Sequence, residues 1–253
     1  MKINRFFTGA VLVLGWLVGP LGGAEFRALS WEGSVKDVTY RGQARGEKLV
    51  IFDSGFTPWQ KITPGAVAIE FLQAPPPPSG APAAAPQAEA PSAAKEAPPV
   101  VLARVEWPVG VNRALLLFVP APAGSPTPYG VVVIPEREAA AVPPAIRLFN
   151  YSVGPVAVQL GEEAPLQMVP RQIHEDDNRP ASGAKVLKLA YREGDEWKIA
   201  ARQNLAIPPG FVTYIFLRNI PQIAVDPSNP TLSFKLIYDR LPAPPVAPKV
   251  AGN

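Results

Sequence analysis

The only imidazole in this sequence is His174, which sits beside three acids in "IHEDDN" (173–178). Glu175, Asp176 and Asp177 could supply oxygen ligands to calcium, which takes roughly six to eight of them. The alternating, glycine-containing spacing of a dedicated calcium loop is missing, however, and three adjacent acids on an extended chain cannot all point at one ion. A solvated acidic loop is the expectation. Zinc is disfavoured further, because one histidine and no cysteine cannot fill a four-ligand site. A serine hydrolase would have to use His174 as its base, and no Gly-x-Ser-x-Gly elbow presents a serine. A glycosidase needs only two carboxylates across a cleft, and Asp53, Glu70, Glu106, Asp195 and Glu196 are the available acids. Most of these fall at strand ends or on wet faces. No Gly-x-Gly-x-x-Gly fingerprint or phosphate-cradling loop is present. The expectation is therefore no catalytic residue, no metal site and no cofactor.

Aromatic residues are the stronger binding signal. Trp31, Trp59, Trp107 and Trp197 lie beyond the N-terminal leader, joined by Tyr40, Tyr129, Tyr151 and Tyr191. A flat indole on a β-surface suits a sugar or a peptide, and Trp31, Trp59 and Tyr151 are the ligand-binding candidates. The competing outcome is packing in a core or between sheets, with partial burial for Trp197 in "GDEWK". Arg27 and Arg147 offer paired anion contacts, although an outward-facing arginine on a half-buried strand is the ordinary result. "NYS" (150–152) fits a glycosylation sequon.

The elements that would position these residues are strands. Thirty-three prolines and twenty glycines forbid long helices in most of the chain. Between them lie short runs rich in branched and aromatic residues, such as "GAVAIEFL" (65–72), "VVLARVEW" (100–107), "KVLKLAY" (185–191) and "GFVTYIFL" (210–217). Their lengths and spacing suit β-sandwiches. "RALLLFVP" (113–120) is apolar throughout, which fits a strand covered on both faces or lying between domains. It is also the strand most attractive as an exposed edge for a partner.

The chain opens with Lys2 and Arg5, an apolar stretch 6–18, and small residues Gly22 and Ala24, which reads as a signal peptide over 1–24. That apolar run is shorter than the ~20 residues a spanning helix requires, so no integral membrane segment is expected after cleavage. With no cysteine anywhere, disulfides, thiolate chemistry and a lipidated cysteine are excluded. Removing Lys2 and Arg5 from 24 basic residues leaves 22 against 21 acidic, a net of +1. No basic cluster tracks a phosphate backbone, so nucleic acid is not an expected partner.

A repeat organises the rest. "EFRALSWEGSVKDVTY" (25–40) is echoed by "AIRLFNYSVGPVAVQL" (145–160), matching Arg27 with Arg147, Leu29 with Phe149, Trp31 with Tyr151 and Val38 with Val158. "VLARVEW" (101–107) aligns with "VLKLAYR" (186–192), and "GVVVIPER" (130–137) with "SFKLIYDR" (233–240). "PGAVAIEF" (64–71) competes by resembling "PGFVTYIF" (209–216). The expected architecture is all-β: two tandem immunoglobulin-like β-sandwich domains over 25–138 and 139–241, or alternatively one larger sandwich. Comparable burial is expected for Trp31 and Tyr151.

The stretch 74–99 holds nine prolines and ten alanines in 26 positions and should be a disordered loop of the first domain, opposite the polar loop 171–185. Residues 242–253 read as a disordered tail. These features suggest a secreted or periplasmic, non-catalytic protein, acting in protein–protein interaction or scaffolding in the cell envelope. An envelope protein or a surface polysaccharide would be its partner. A carbohydrate-binding module is the first alternative and a carboxylate-based hydrolase the second.

Overall fold

The computed structural model describes residues 23–41, 48–63, 67–73, 98–136, 143–179, 183–222 and 226–241, with the side chains of 220–231 excepted. Residues 1–22 of the leader, 74–97 of the Pro/Ala-rich stretch, 137–142 around the expected domain boundary, and the tail 242–253 lie outside these residues.

The described chain is all-β. The first eight strands are β1 (Glu25–Ser30), β2 (Val35–Tyr40), β3 (Leu49–Ile51), β4 (Gln60–Lys61), β5 (Ala68–Gln73), β6 (Val100–Glu106), β7 (Arg113–Pro120) and β8 (Tyr129–Pro135). They are followed by β9 (Ile146–Asn150), β10 (Val156–Leu160), β11 (Leu166–Met168), β12 (Ile173–Asp176), β13 (Ala184–Glu193), β14 (Glu196–Ala206), β15 (Phe211–Gln222) and β16 (Asp226–Arg240). Four sheets of four strands result, ordered β4-β1-β7-β8, β3-β2-β5-β6, β12-β9-β15-β16 and β11-β10-β13-β14. Adding eight to each strand number of the first two sheets gives the other two. The correspondence extends to strand direction, since β1 pairs with β7 in parallel and β9 with β15 in parallel. A parallel pair needs a long crossover. Here β2 to β6 form it in one half and β10 to β14 in the other.

Alternation along the strands distributes the apolar residues among three clusters. Phe26, Ala28, Leu116 and Phe118 join Phe71 and Ile69 between the first two sheets. Leu148, Ile215 and Leu217 join Leu187 and Leu189 between the other two. The third cluster takes the alternate positions: Leu29, Trp31, Leu115, Leu117 and Ile134 from one half meet Phe149, Val212, Tyr214, Phe216 and Ile237 from the other. The two central sheets are thus covered on both faces, and this explains the unbroken apolar run of "RALLLFVP". That strand is β7, flanked by β1 and β8, so the expected exposed edge is corrected: its backbone is paired on both sides.

The strand order also corrects two sequence alignments. "VLARVEW" begins in β6, whereas "VLKLAYR" lies in β13, the counterpart of β5. Gln73 pairs with Val100, so the long insertion leaves and re-enters at one end of the β5–β6 hairpin. Its counterpart is the tight turn between β13 and β14, not the loop 171–185. "PGFVTYIF" runs into β15, whose counterpart is β7, so its turn corresponds to the one preceding β7 and not to "PGAV". Those two turns have the same form. Val111 N–H donates to the Pro108 carbonyl and Phe211 N–H to the Pro208 carbonyl, each at 3.3 Å. Gly110 and Gly210 supply φ values of 79° and 76° at the third position, as a type II turn requires.

Candidate functional site

Where the two central sheets meet, the residues with the most chemical potential come together. Arg27 on β1 and Arg147 on β9 project from the same faces as Leu29 and Phe149, so folding carries both guanidiniums into the seam. Their side chains are each only 11% exposed. Glu136, which follows β8, lies between them with its side chain 9% exposed. One oxygen of Glu136 accepts from Arg147 Nη1 at 2.9 Å and from Arg27 Nη2 at 3.3 Å. Asp239 near the end of β16 pairs with Arg27, and Glu175 on β12 accepts from Arg147 Nε at 3.0 Å. Arg27 also donates to the Tyr214 hydroxyl at 2.7 Å.

The pairing is reciprocal. Arg27 of the first half reaches Asp239 at the end of the last strand of the second, and Arg147 of the second half reaches Glu136, just past the last strand of the first. Register supports this correspondence: Ala114 pairs with Pro135, just before Glu136, and Thr213 with Tyr238, just before Asp239. A residue i meeting j while j's counterpart meets i's is the pattern of a self-complementary, two-fold interface.

Burial opposes the charge on both guanidiniums, but Tyr214, Glu136 and the flanking acids outweigh it, and both pKa values are raised. Both guanidiniums therefore keep their charge despite burial. Aromatic faces complete the cage: the Arg27 guanidinium lies 4.3 Å from the Phe56 ring centroid and 5.0 Å from that of Trp59, and Arg147 lies 5.4 Å from Tyr214. Glu136, Asp239 and Glu175 are each engaged with an arginine. The arrangement ties the two central sheets together through ion pairs.

The three binding candidates surround this seam. Trp31 is 4% exposed and packed in the third cluster. Trp59 is half-buried against the same cluster, with the Arg113 guanidinium 4.0 Å from its centroid. Tyr151 packs there too, and burial pushes its phenol up to about 12. Trp31 and Tyr151 occupy matching places, because their N–H groups donate to Phe118 and Leu217 carbonyls at 2.7 and 2.8 Å. Tyr151 is the more exposed of the two. Trp107 is half-buried, its indole donating to the Val111 carbonyl at 2.7 Å.

The remaining candidates are dispersed. His174 lies on β12 opposite Leu148. Its neighbours Glu175 and Asp176 are bound by Arg147 and Lys185 respectively. Glu70 bridges Arg41 and Arg104 on an outer face, while Asp195 and Glu196 lie at the β13–β14 turn. The outward-facing expectation for Arg27 and Arg147 is corrected, since the faces they share are buried between sheets. The sequon is corrected as well: Asn150 is fully buried, and its amide donates to the Met168 carbonyl at 2.9 Å. Sequence reasoning missed Glu136, Asp239 and Tyr214. The available signal was the pair "PER" and "YDR", which places an acid at the same point in both halves.

Fold and seam together define an all-β protein of sandwich-like sheets with a buried ionic junction. No protein-family model matches the sequence, and no curated protein matches it.

Proposed function

We propose that this chain is an exported, non-catalytic protein of two tandem immunoglobulin-like β-sandwich domains that acts in protein–protein interaction or scaffolding in the cell envelope. The observation that carries this reading is the reciprocal junction of Arg27 with Asp239 and Arg147 with Glu136. The residues best suited to chemistry are spent on fixing one sandwich against another. A duplicated sandwich accounts for the matching strand orders, the matching type II turns and the self-complementary seam. Rigid coupling of two domains suits a spacer or platform that presents its outer surfaces at a fixed angle. The leader directs the chain to the secreted or periplasmic compartment.

Native-envelope crosslinking, combined with N-terminal sequencing of the mature protein, tests this. The expected result is a chain beginning near Glu25 and crosslinked to envelope components. A chain retained in the cytoplasm with its leader intact, or one that hydrolyses glycosides, would overturn it.

A further inference from the structure

The outer faces of the two flanking sheets differ where their frameworks agree. In the β3-β2-β5-β6 sheet a bulge falls between Phe71 and Leu72, and beside it Glu70 stands opposite Arg104. Glu70 holds Arg41 at 3.0 Å and Arg104 at 3.9 Å. In the β11-β10-β13-β14 sheet the bulge falls between Leu189 and Ala190, and the residue beside it, Lys188, stands opposite Arg202. Where one face carries an ion pair, the other carries two cations. Like charges directly opposite each other destabilise a sheet. Among the described residues no carboxylate pairs with Lys188 or Arg202, and the Lys188 ammonium donates only to the Gln159 side-chain oxygen, at 3.1 Å.

Leu187 and Leu189 point inward, so Lys188, Ala190 and Arg192 point out. Ala190 stands opposite Ile199 and Arg192 opposite Trp197. Ile199 is 79% exposed and Trp197 40%. Arg192 reaches Asp195 in the turn at 3.0 Å, a pair open to solvent. One face therefore presents three cations and an indole, with Lys188 and Arg192 roughly 13 Å apart at ~3.3 Å per residue.

We propose that this face binds an acidic polysaccharide. Sugar carboxylates pair with Lys188, Arg202 and Arg192 and relieve the like-charge row, while the apolar face of a ring stacks on Trp197. The inference rests on the non-catalytic binding role proposed above and names a ligand class for it. A peptide strand added along β14 is opposed by its bulge and by Lys198 and Arg202, which blunt that edge. Double-stranded DNA carries a charge about every 1.7 Å and would call for more cations than this face holds.

Calorimetric titration of the full mature chain with oligogalacturonate, its methyl ester, neutral dextran and anionic phospholipid vesicles tests the proposal. Binding is expected to oligogalacturonate alone, weakening as salt is added. Trp197→Ala and Arg202→Glu should each weaken it by about tenfold or more. Lys188→Glu installs the arrangement of Glu70 and Arg104, so it should weaken binding while raising the melting temperature, which separates lost binding from lost fold. Equal binding of the methyl ester, binding of vesicles alone, or variants that bind like the parent would overturn the proposal. Absence of any polysaccharide binding while envelope crosslinks persist would overturn it and leave the interaction role standing.

Discussion

Glu136 is the residue on which the junction turns, because one of its carboxylate oxygens serves two buried guanidiniums from different sheets. Removing one member of a buried ionic cluster leaves its partners charged and unmatched, at a cost of about 3–5 kcal/mol. Glu136→Ala should lower the unfolding free energy by that amount in urea denaturation, and Glu136→Gln by less, since an acceptor remains. An unchanged midpoint for Glu136→Ala would mean that the network adds nothing to stability. Arg27 and Arg147 were visible in the sequence as a matched pair, but their burial was not. An arginine on a strand beside leucine and phenylalanine reads as an outward residue until a second sheet is known to cover that face.

At the scale of elements, the two type II turns set where β7 and β15 begin. Gly110 and Gly210 both have open space where a Cβ would stand, so steric contact plays no part and the left-handed backbone alone requires glycine. Gly210→Ala should cost about 1–2 kcal/mol, whereas Gly55→Ala, also in open space and without a positive φ, should change thermal unfolding by less than about 0.5 kcal/mol. Equal effects at the two sites would contradict the turn assignment. Strands were legible in composition because branched and aromatic runs between prolines and glycines leave few alternatives. Their pairing was less legible. "VLARVEW" and "VLKLAYR" resemble each other because each is a half-buried hairpin strand, and such strands share a pattern whatever their place in a sheet.

For the molecule as a whole, the third cluster packs side chains of the two sandwich-like halves against each other. Phe56 of the first half meets Tyr214 of the second edge-on with ring centroids 5.0 Å apart, and Phe149, buried in the same cluster, stacks on Phe216 at 4.8 Å. Tryptophan fluorescence and circular dichroism should therefore report one coincident unfolding transition. Phe149→Ala, which opens a cavity in the seam, should cost about 3–5 kcal/mol and separate the two transitions. Coincident curves at an unshifted midpoint in the variant would show that the halves are coupled elsewhere.

The sequence by itself determined that the chain is all-β, because its breakers leave room only for short extended segments and their alternation fixes which residues can be buried. It also marked β7 as covered on both faces, since no polar residue interrupts that run. Only the tertiary structure decided what covers it, that Trp31 and Tyr151 line a seam, and that Arg27 and Arg147 share a carboxylate. Alternation along a strand is a local property, whereas the contact between two sheets depends on which faces meet. No pattern within a single strand records that.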